Sequence, residues 1–242
     1  MKKKVVIIGS AWPLRGGGIA TFNERLAKQF IDEGHEVIIY TFSLQYPSFL
    51  FPGKSQYTTD PKPKDVNIAV CINSINPLNW IKIGLKLYRE KPDLIIVRFW
   101  IPFLAPCLGT ILKIAKKNNH TKVISIVDNM IPHEKRMGDR LLTQYFVKTV
   151  DGFIAMSEKV KNDIKTFSHK PVSISPHPIF NHFGDPITKM EARTQLGLPQ
   201  EKKIILFFGY IRKYKGLDLL IQAMSSESIK KLNIQLMIVG EF

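Results

Sequence analysis

Short apolar runs alternate with amphipathic stretches along this chain, and that alternation limits the fold more than any other feature. KVVIIGS (4–10) is continuously apolar, as a strand covered on both faces must be. IATFNERLAKQFIDEG (19–34) comes next, with Phe22, Leu26 and Phe30 near one helical face and Gly34 as a C-terminal stop. HEVIIYTF (35–42), NIAVCI (67–72), DLIIVRFW (93–100), KVISIVD (122–128) and GFIAMS (152–157) read as further strands. Helical patterns fall between them at 76–91, 101–117 and 141–149, and again at 158–167. Repeated β–α–β units at this spacing predict a parallel sheet covered by helices on both sides and joined by right-handed crossovers. The expected class is α/β, a Rossmann-like, doubly wound domain.

A second region restarts the pattern. SISPHPIFNHFGDP (173–186) carries three prolines, a glycine and little periodicity, which suits a connection. The first domain is therefore expected over 1–180, a linker over 181–187, and a second Rossmann-like domain over 188–242. TKMEARTQLGLP (188–199) opens with a capping box, Thr188 and Glu191, and closes at Gly197 and Pro199. IILFFG (204–209), a helix at 217–224 and a strand at 234–240 make one further β–α–β unit. A single unit cannot bury both faces of its sheet, so the expectation is an incomplete second domain in a truncated chain.

Composition narrows the partners. No apolar run reaches membrane-spanning length, and the apolar run after MKKK, about five residues, is too short for a signal peptide. Cys71 and Cys107 form no CxxC pattern and read as buried thiols in a reducing cytoplasm; the six histidines form no metal-binding spacing, so no metal is expected. A net charge of +15 calls for a polyanionic partner. Without a dense Lys/Arg tract, nucleic acid is not expected, which leaves phosphorylated small molecules and an anionic membrane surface.

Two loops look built for anions. GSAWPLRGGGIATF (9–22) joins a strand's C-terminal end to a helix's N-terminus, where backbone N–H groups are unpaired and the helix end is positive. Gly16, Gly17 and Gly18 either ease a turn there or admit a ligand to the backbone, with Arg15 as a further contact. The loop matches neither GxGxxG, since six residues separate Gly9 from the triplet, nor a P-loop, since no GK[ST] follows. LFFGYIRKYKGLDLLI (206–221) repeats the logic between Gly209 and Gly216, but packs Arg212, Lys213 and Lys215 into four residues. Cations at a helix N-terminus oppose its dipole, so they make sense with a dianionic group between them and the helix. Arg212 and Lys215, three apart, are assigned to that group and Lys213 to solvent.

The glycine triplet followed by xxxF, GHEV opening the second strand, SEKVKNDI, the pair His177–Pro178 and FFGYIRKYKGLDLLIQA together resemble retaining family 4 (group 1) glycosyltransferases of the GT-B fold. The resemblance covers essentially the whole chain. It implies that the C-terminal domain holds a UDP- or GDP-linked sugar and the N-terminal domain the acceptor. Arg212 and Lys215 would grip the donor pyrophosphate, with the amides at Gly16–Gly18 approaching the same phosphates. No metal or other cofactor is implied, and the sugar is transferred with retention. Three departures stand out. Tyr210 replaces the arginine usual after the strand glycine. Asp128 stands where many members carry a histidine, so Asp128, with His133 five residues on, are the catalytic candidates. The second acidic motif, due after VGEF, is absent, so the 242-residue chain alone is expected to show little turnover. The alternatives are a nucleotide-sugar epimerase-like enzyme of the same architecture and a non-catalytic acceptor- or partner-binding fragment.

YTFSLQYPSFLFPGKSQY (40–57) is rich in aromatics for a connection. It reads either as exposed apolar surface at a membrane or as a long loop folded onto the domain. With the basic helices WIKIGLKLYREK (80–91) and ILKIAKKNNHTK (111–122), it leads to the expectation of a cytoplasmic protein, peripheral on the inner face of the membrane, acting on a glycan or lipid-linked acceptor. Arg98 and Trp100, ending their strand, are expected to line the acceptor cleft.

Overall fold

The computed structural model describes residues 1–51, 55–132, 134, 136–179 and 184–240. The chain divides between His177 and Pro178 into two compact units.

The first unit is built on seven strands: β1 (Lys4–Ile8), β2 (Glu36–Leu44), β3 (Ile68–Asn73), β4 (Leu94–Phe99), β5 (Lys122–Val127), β6 (Gly152–Ala155) and β7 (Val172–Ile174). Every pairing is parallel, and the order is β3-β2-β1-β4-β5-β6-β7. The strand order reverses between β1 and β4. The helices α1 (Gly18–Asp32), α2 (Pro77–Glu90), α3 (Ala105–Ala115), α4 (Asp139–Val147) and α5 (Glu158–Lys165) connect them.

Local chemistry sets the boundaries. Gly34 stops α1 in a left-handed conformation (φ 84°), its amide donating to the Ile31 carbonyl at 2.9 Å. Asn76 caps α2 by accepting from the amides of Leu78 and Asn79, with Pro77 at the first position, where the missing N–H costs nothing. Ser157 caps α5 through the Val160 amide. The helix expected over 101–117 begins instead with a tight turn at Pro102–Leu104, because Pro106 is tolerated only in the first turn of α3. β7 had no counterpart in the sequence pattern: three residues paired only to β6 are too short to show a period.

Each face of the sheet is covered. Val6, Ile8, Val97 and Phe99 pack with the buried sides of α2 and α3, and Phe99 stacks on Phe146 of α4 at 4.2 Å between centroids. Val5, Ile7, Ile39 and Ile96 face α1, whose Phe22, Leu26 and Phe30 form the expected stripe, with Ala27 buried among them. The aromatic segment after β2 lies against this unit. Tyr46 stacks on Phe103 at 6.2 Å and lies 6.3 Å from Phe51, and its hydroxyl accepts from Trp100 Nε1 at 2.6 Å. Gln56 ties the amides of Gln45 and Tyr46 and the Tyr46 carbonyl. Satisfied polar groups and stacked rings at its described residues favour the second of its two readings, a loop folded onto the domain, with Tyr57 left exposed.

In the second unit, α6 (Lys189–Gln195) carries the expected capping box between Thr188 and Glu191. β8 (Lys203–Phe208) pairs in parallel with β9 (Ile234–Val239), connected through α7 (Leu217–Met224) and α8 (Glu227–Lys230). The strand pair leaves Leu206, Phe208, Ile238 and Val239 exposed.

Candidate functional site

In an open parallel sheet, ligands bind beyond the C-terminal strand ends where the strand order reverses. In the first unit that is the space after β1 and β4. Gly9 follows β1, and a Cβ there would meet Asn23 Nδ2 at 2.6 Å and Arg98 Cβ at 3.1 Å. Glycine thus lets α1 and β4 close on one another. Asn23 is buried and donates from Nδ2 to the Ser10 carbonyl at 2.9 Å, which fixes the start of the loop.

Arg98, on β4, is 1% exposed. Its Nε donates to Asp128 Oδ2 at 2.6 Å and its Nη2 to Oδ1 at 2.5 Å. The guanidinium carbon lies 4.2 Å from the centroid of the Phe22 ring. Among the described residues, Nη1 has no hydrogen-bond partner. A buried cation is tolerated only when paired, and here Asp128 and the ring face of Phe22 supply the pairing. Asp128 keeps 19% side-chain exposure, and each of its oxygens has a second lone pair for another donor. The Phe22 ring also meets His177 edge-on, at 5.7 Å and 63°.

The glycine triplet opens α1. Gly16, Gly17 and Gly18 are exposed, and a Cβ at any of them would meet nothing within 4 Å. Gly17 is extended (φ 179°, ψ 175°), and none of the three has a left-handed φ. The fold therefore requires glycine at none of these positions, so easing a turn does not account for them. α1 has no side-chain N-cap and no acidic residue in its first turn, which leaves its first amides open. The loop itself is anchored: Trp12 Nε1 donates to the Asp60 carbonyl at 2.9 Å, and the Arg15 amide to the Gln56 carbonyl at 2.8 Å. Glu24 accepts from the Trp12 amide at 2.9 Å, and burial pushes its carboxyl above the usual range despite that bond.

In the second unit, Gly209 ends β8 with φ 110°, a conformation that favours glycine, and its amide donates to the Val239 carbonyl at 2.9 Å. Arg212 precedes a tight turn, Lys213–Lys215, that closes through the Lys215 amide and the Arg212 carbonyl at 2.9 Å. Gly216 then enters α7 with φ 70°. A Cβ at Gly209 would meet Lys215 Nζ at 3.0 Å, so the lysine folds back over the strand end. Arg212 is half-buried, while Lys213 and Lys215 are exposed. The turn thus carries Arg212, Lys213 and Lys215 between the C-terminal end of β8 and the start of α7, with the Lys215 ammonium over the strand end.

The structure brings Arg98 and Asp128 together, which the sequence had assigned to different roles. Trp100 is half-buried and bonded to Tyr46. His133 lies outside the described residues. Sequence reasoning missed Gly9 and Asn23, and placed Phe22 only as core; the available signal was a polar Asn23 beside Phe22 on a face that packs inward. Among the described residues, no three metal-ligating side chains converge.

Two family models match the chain: Glycosyltransferase Family 4 over residues 16–179 and Glycosyl transferases group 1 over residues 188–242. No curated protein matches the sequence. Among solved structures, sucrose-phosphate synthase from Thermosynechococcus elongatus aligns with a TM-score of 0.70 at 15% identity, covering 98% of this chain and 62% of its own. HepE from Anabaena, solved in complex with UDP and glucose, aligns at 0.67 and 14%, over 99% of this chain and 62% of its own. UDP-N-acetylglucosamine 2-epimerase from Rickettsia bellii aligns at 0.51 and 12%, over 100% and 70%. The chain thus spans 62% of the length of the first two. These matches and the parallel α/β architecture place the chain in the family described as Glycosyltransferase Family 4, with the GT-B fold.

Proposed function

We propose that the protein containing this chain transfers a sugar from a UDP- or GDP-linked donor to a glycan or lipid-linked acceptor, with retention at the anomeric carbon. The observation that carries the reading is the turn after β8. Lys215 folds back over Gly209, and Arg212 opens the same turn at the start of α7. Two cations so placed oppose the helix dipole when empty and are matched by a diphosphate when filled. They would neutralise the departing nucleoside diphosphate, the largest charge that develops in the reaction, without a metal. HepE, a neighbour solved with UDP and glucose, supports this class of donor.

Within the first unit, the glycine loop has open amides that suit a phosphate, and Asp128 has free lone pairs that suit a sugar hydroxyl. Arg98 then acts by holding that carboxylate, and Trp100, bonded to Tyr46, is the candidate for contact with the acceptor. The leaving phosphate would assist deprotonation of the acceptor, and His133 is the second candidate for contact with the sugar. An acceptor on a lipid carrier, with the chain's excess of cations, fits a protein peripheral on an anionic membrane face.

The test is acceptor-dependent release of UDP or GDP from a sugar nucleotide, with the product anomer read by NMR. A product of retained configuration is expected, and an inverted one would contradict retention. Interconversion of the sugar nucleotide without any acceptor would favour the epimerase reading that the Rickettsia neighbour supports.

A further inference from the structure

We propose that the outer face of α2 is the surface through which the protein docks on an anionic lipid bilayer. The proposal rests on the peripheral reading above and gives it a place in the fold.

α2 is fixed to the domain by Ile83, Gly84 and Leu87, all buried. Gly84 sits so close to α3 that a Cβ would meet Ile114 Cβ at 2.7 Å. The opposite side of the helix should be polar in a protein that meets only water. Instead Leu78, Ile81, Leu85 and Tyr88 are exposed, Leu78 to 78%. Their spacing of three, four and three residues aligns them in one stripe along the helix. This is not scatter of single apolar residues over a surface, which would need no explanation.

Charge identifies the occupant. Lys82 and Arg89 lie within about 40° of Leu78 around the helix, on one flank of the stripe. Both are exposed, and among the described residues neither makes an ion pair. Lys86, by contrast, is engaged with Glu90 at 3.7 Å and with the Tyr40 ring at 4.9 Å, so it belongs to the domain. A wholly apolar partner would leave Lys82 and Arg89 unmatched. An anionic bilayer takes both, with the leucines below the headgroups, Tyr88 at the boundary and the cations among the phosphates. The net charge of +15 acts in the same direction.

The experiment is co-sedimentation of the 242-residue protein with phosphatidylcholine vesicles, with and without phosphatidylglycerol. Two double variants are compared: Leu78→Asp with Leu85→Asp, and Lys82→Glu with Arg89→Glu. All four side chains are exposed, so melting temperatures should match the wild type, and the charge-reversal pair serves if the leucine pair folds poorly. The wild type should bind phosphatidylglycerol vesicles and be released by salt. Each variant should partition at least about tenfold less, since each basic residue near such a surface contributes about fivefold and each leucine withdrawn from the acyl boundary contributes at least as much. Well-folded variants that bind as tightly as the wild type would overturn α2 as the surface while leaving membrane association standing. Absence of wild-type binding would overturn both. Self-association in sedimentation velocity, lost in the leucine variant, would assign the face to a second copy of the chain and overturn the lipid.

Discussion

Arg98 and Asp128 form a two-point ion pair at the C-terminal ends of neighbouring strands, with contacts of 2.6 and 2.5 Å and the arginine 1% exposed. The parallel register of β4 and β5 creates it: Phe99 pairs with Val127, so Asp128 emerges one residue past the ladder, beside Arg98. Removing one partner leaves a buried charge alone. Asp128→Ala should therefore cost about 3–5 kcal/mol in urea unfolding. Arg98→Met combined with Asp128→Ala should recover part of that loss, because no unpaired charge remains. An Asp128→Ala variant as stable as the wild type would show that the pair holds nothing.

Glycines of the same loop should respond in opposite ways. Gly9→Ala would drive a methyl group into Asn23 and the Arg98 Cβ, and should destabilise by about 1–3 kcal/mol. Gly16→Ala and Gly18→Ala meet open space and should leave stability within about 0.5 kcal/mol. If the triplet admits a ligand, these two should still lower nucleotide-sugar turnover. Thermal melts together with turnover separate the two roles.

Much of this was legible in the sequence, for reasons that can be traced to particular elements. β1 is apolar from Val5 to Ile8 because both its faces are covered, and the Thr188–Glu191 box is a local device that needs no tertiary context. The two loops could be placed because each runs directly from a strand into a helix. What the sequence could not carry was set by neighbours distant in the chain. A cation at a strand's end reads as facing solvent, yet Arg98 is buried because its partner comes from a strand thirty residues on. The aromatics of 40–57 allow either an exposed surface or a folded loop, and the choice depends on Tyr46 finding Phe103 and Trp100 from another loop. The apolar stripe of α2 is masked in sequence by a second, buried stripe on the same helix, so only burial separates one from the other.

Acid should weaken the first unit through Asp151. Burial raises its pKa, but hydrogen bonds from Lys116, at 2.5 Å, and from the Val123 amide, at 2.8 Å, outweigh burial and leave it below the usual carboxylate range. A depressed folded-state pKa contributes stability that is present above the unfolded value, about 3.9, and lost as pH falls through the folded value. Asp151→Asn should thus be less stable than the wild type at pH 7, and the gap should narrow as pH falls below about 4. A gap that is constant with pH would rule out this linkage.

Central to the proposed activity is a nucleoside diphosphate seated on the turn after β8. Isothermal titration of the chain with UDP and with GDP, repeated on Arg212→Ala with Lys215→Ala, tests it most directly. Charge-assisted hydrogen bonds to phosphate contribute about 1.5–3 kcal/mol each. The double variant should therefore bind at least about a hundredfold more weakly than the wild type, with an unchanged melt. The nucleotide that binds the wild type more tightly would name the donor class. A double variant that binds UDP or GDP as tightly as the wild type would contradict that placement of the diphosphate.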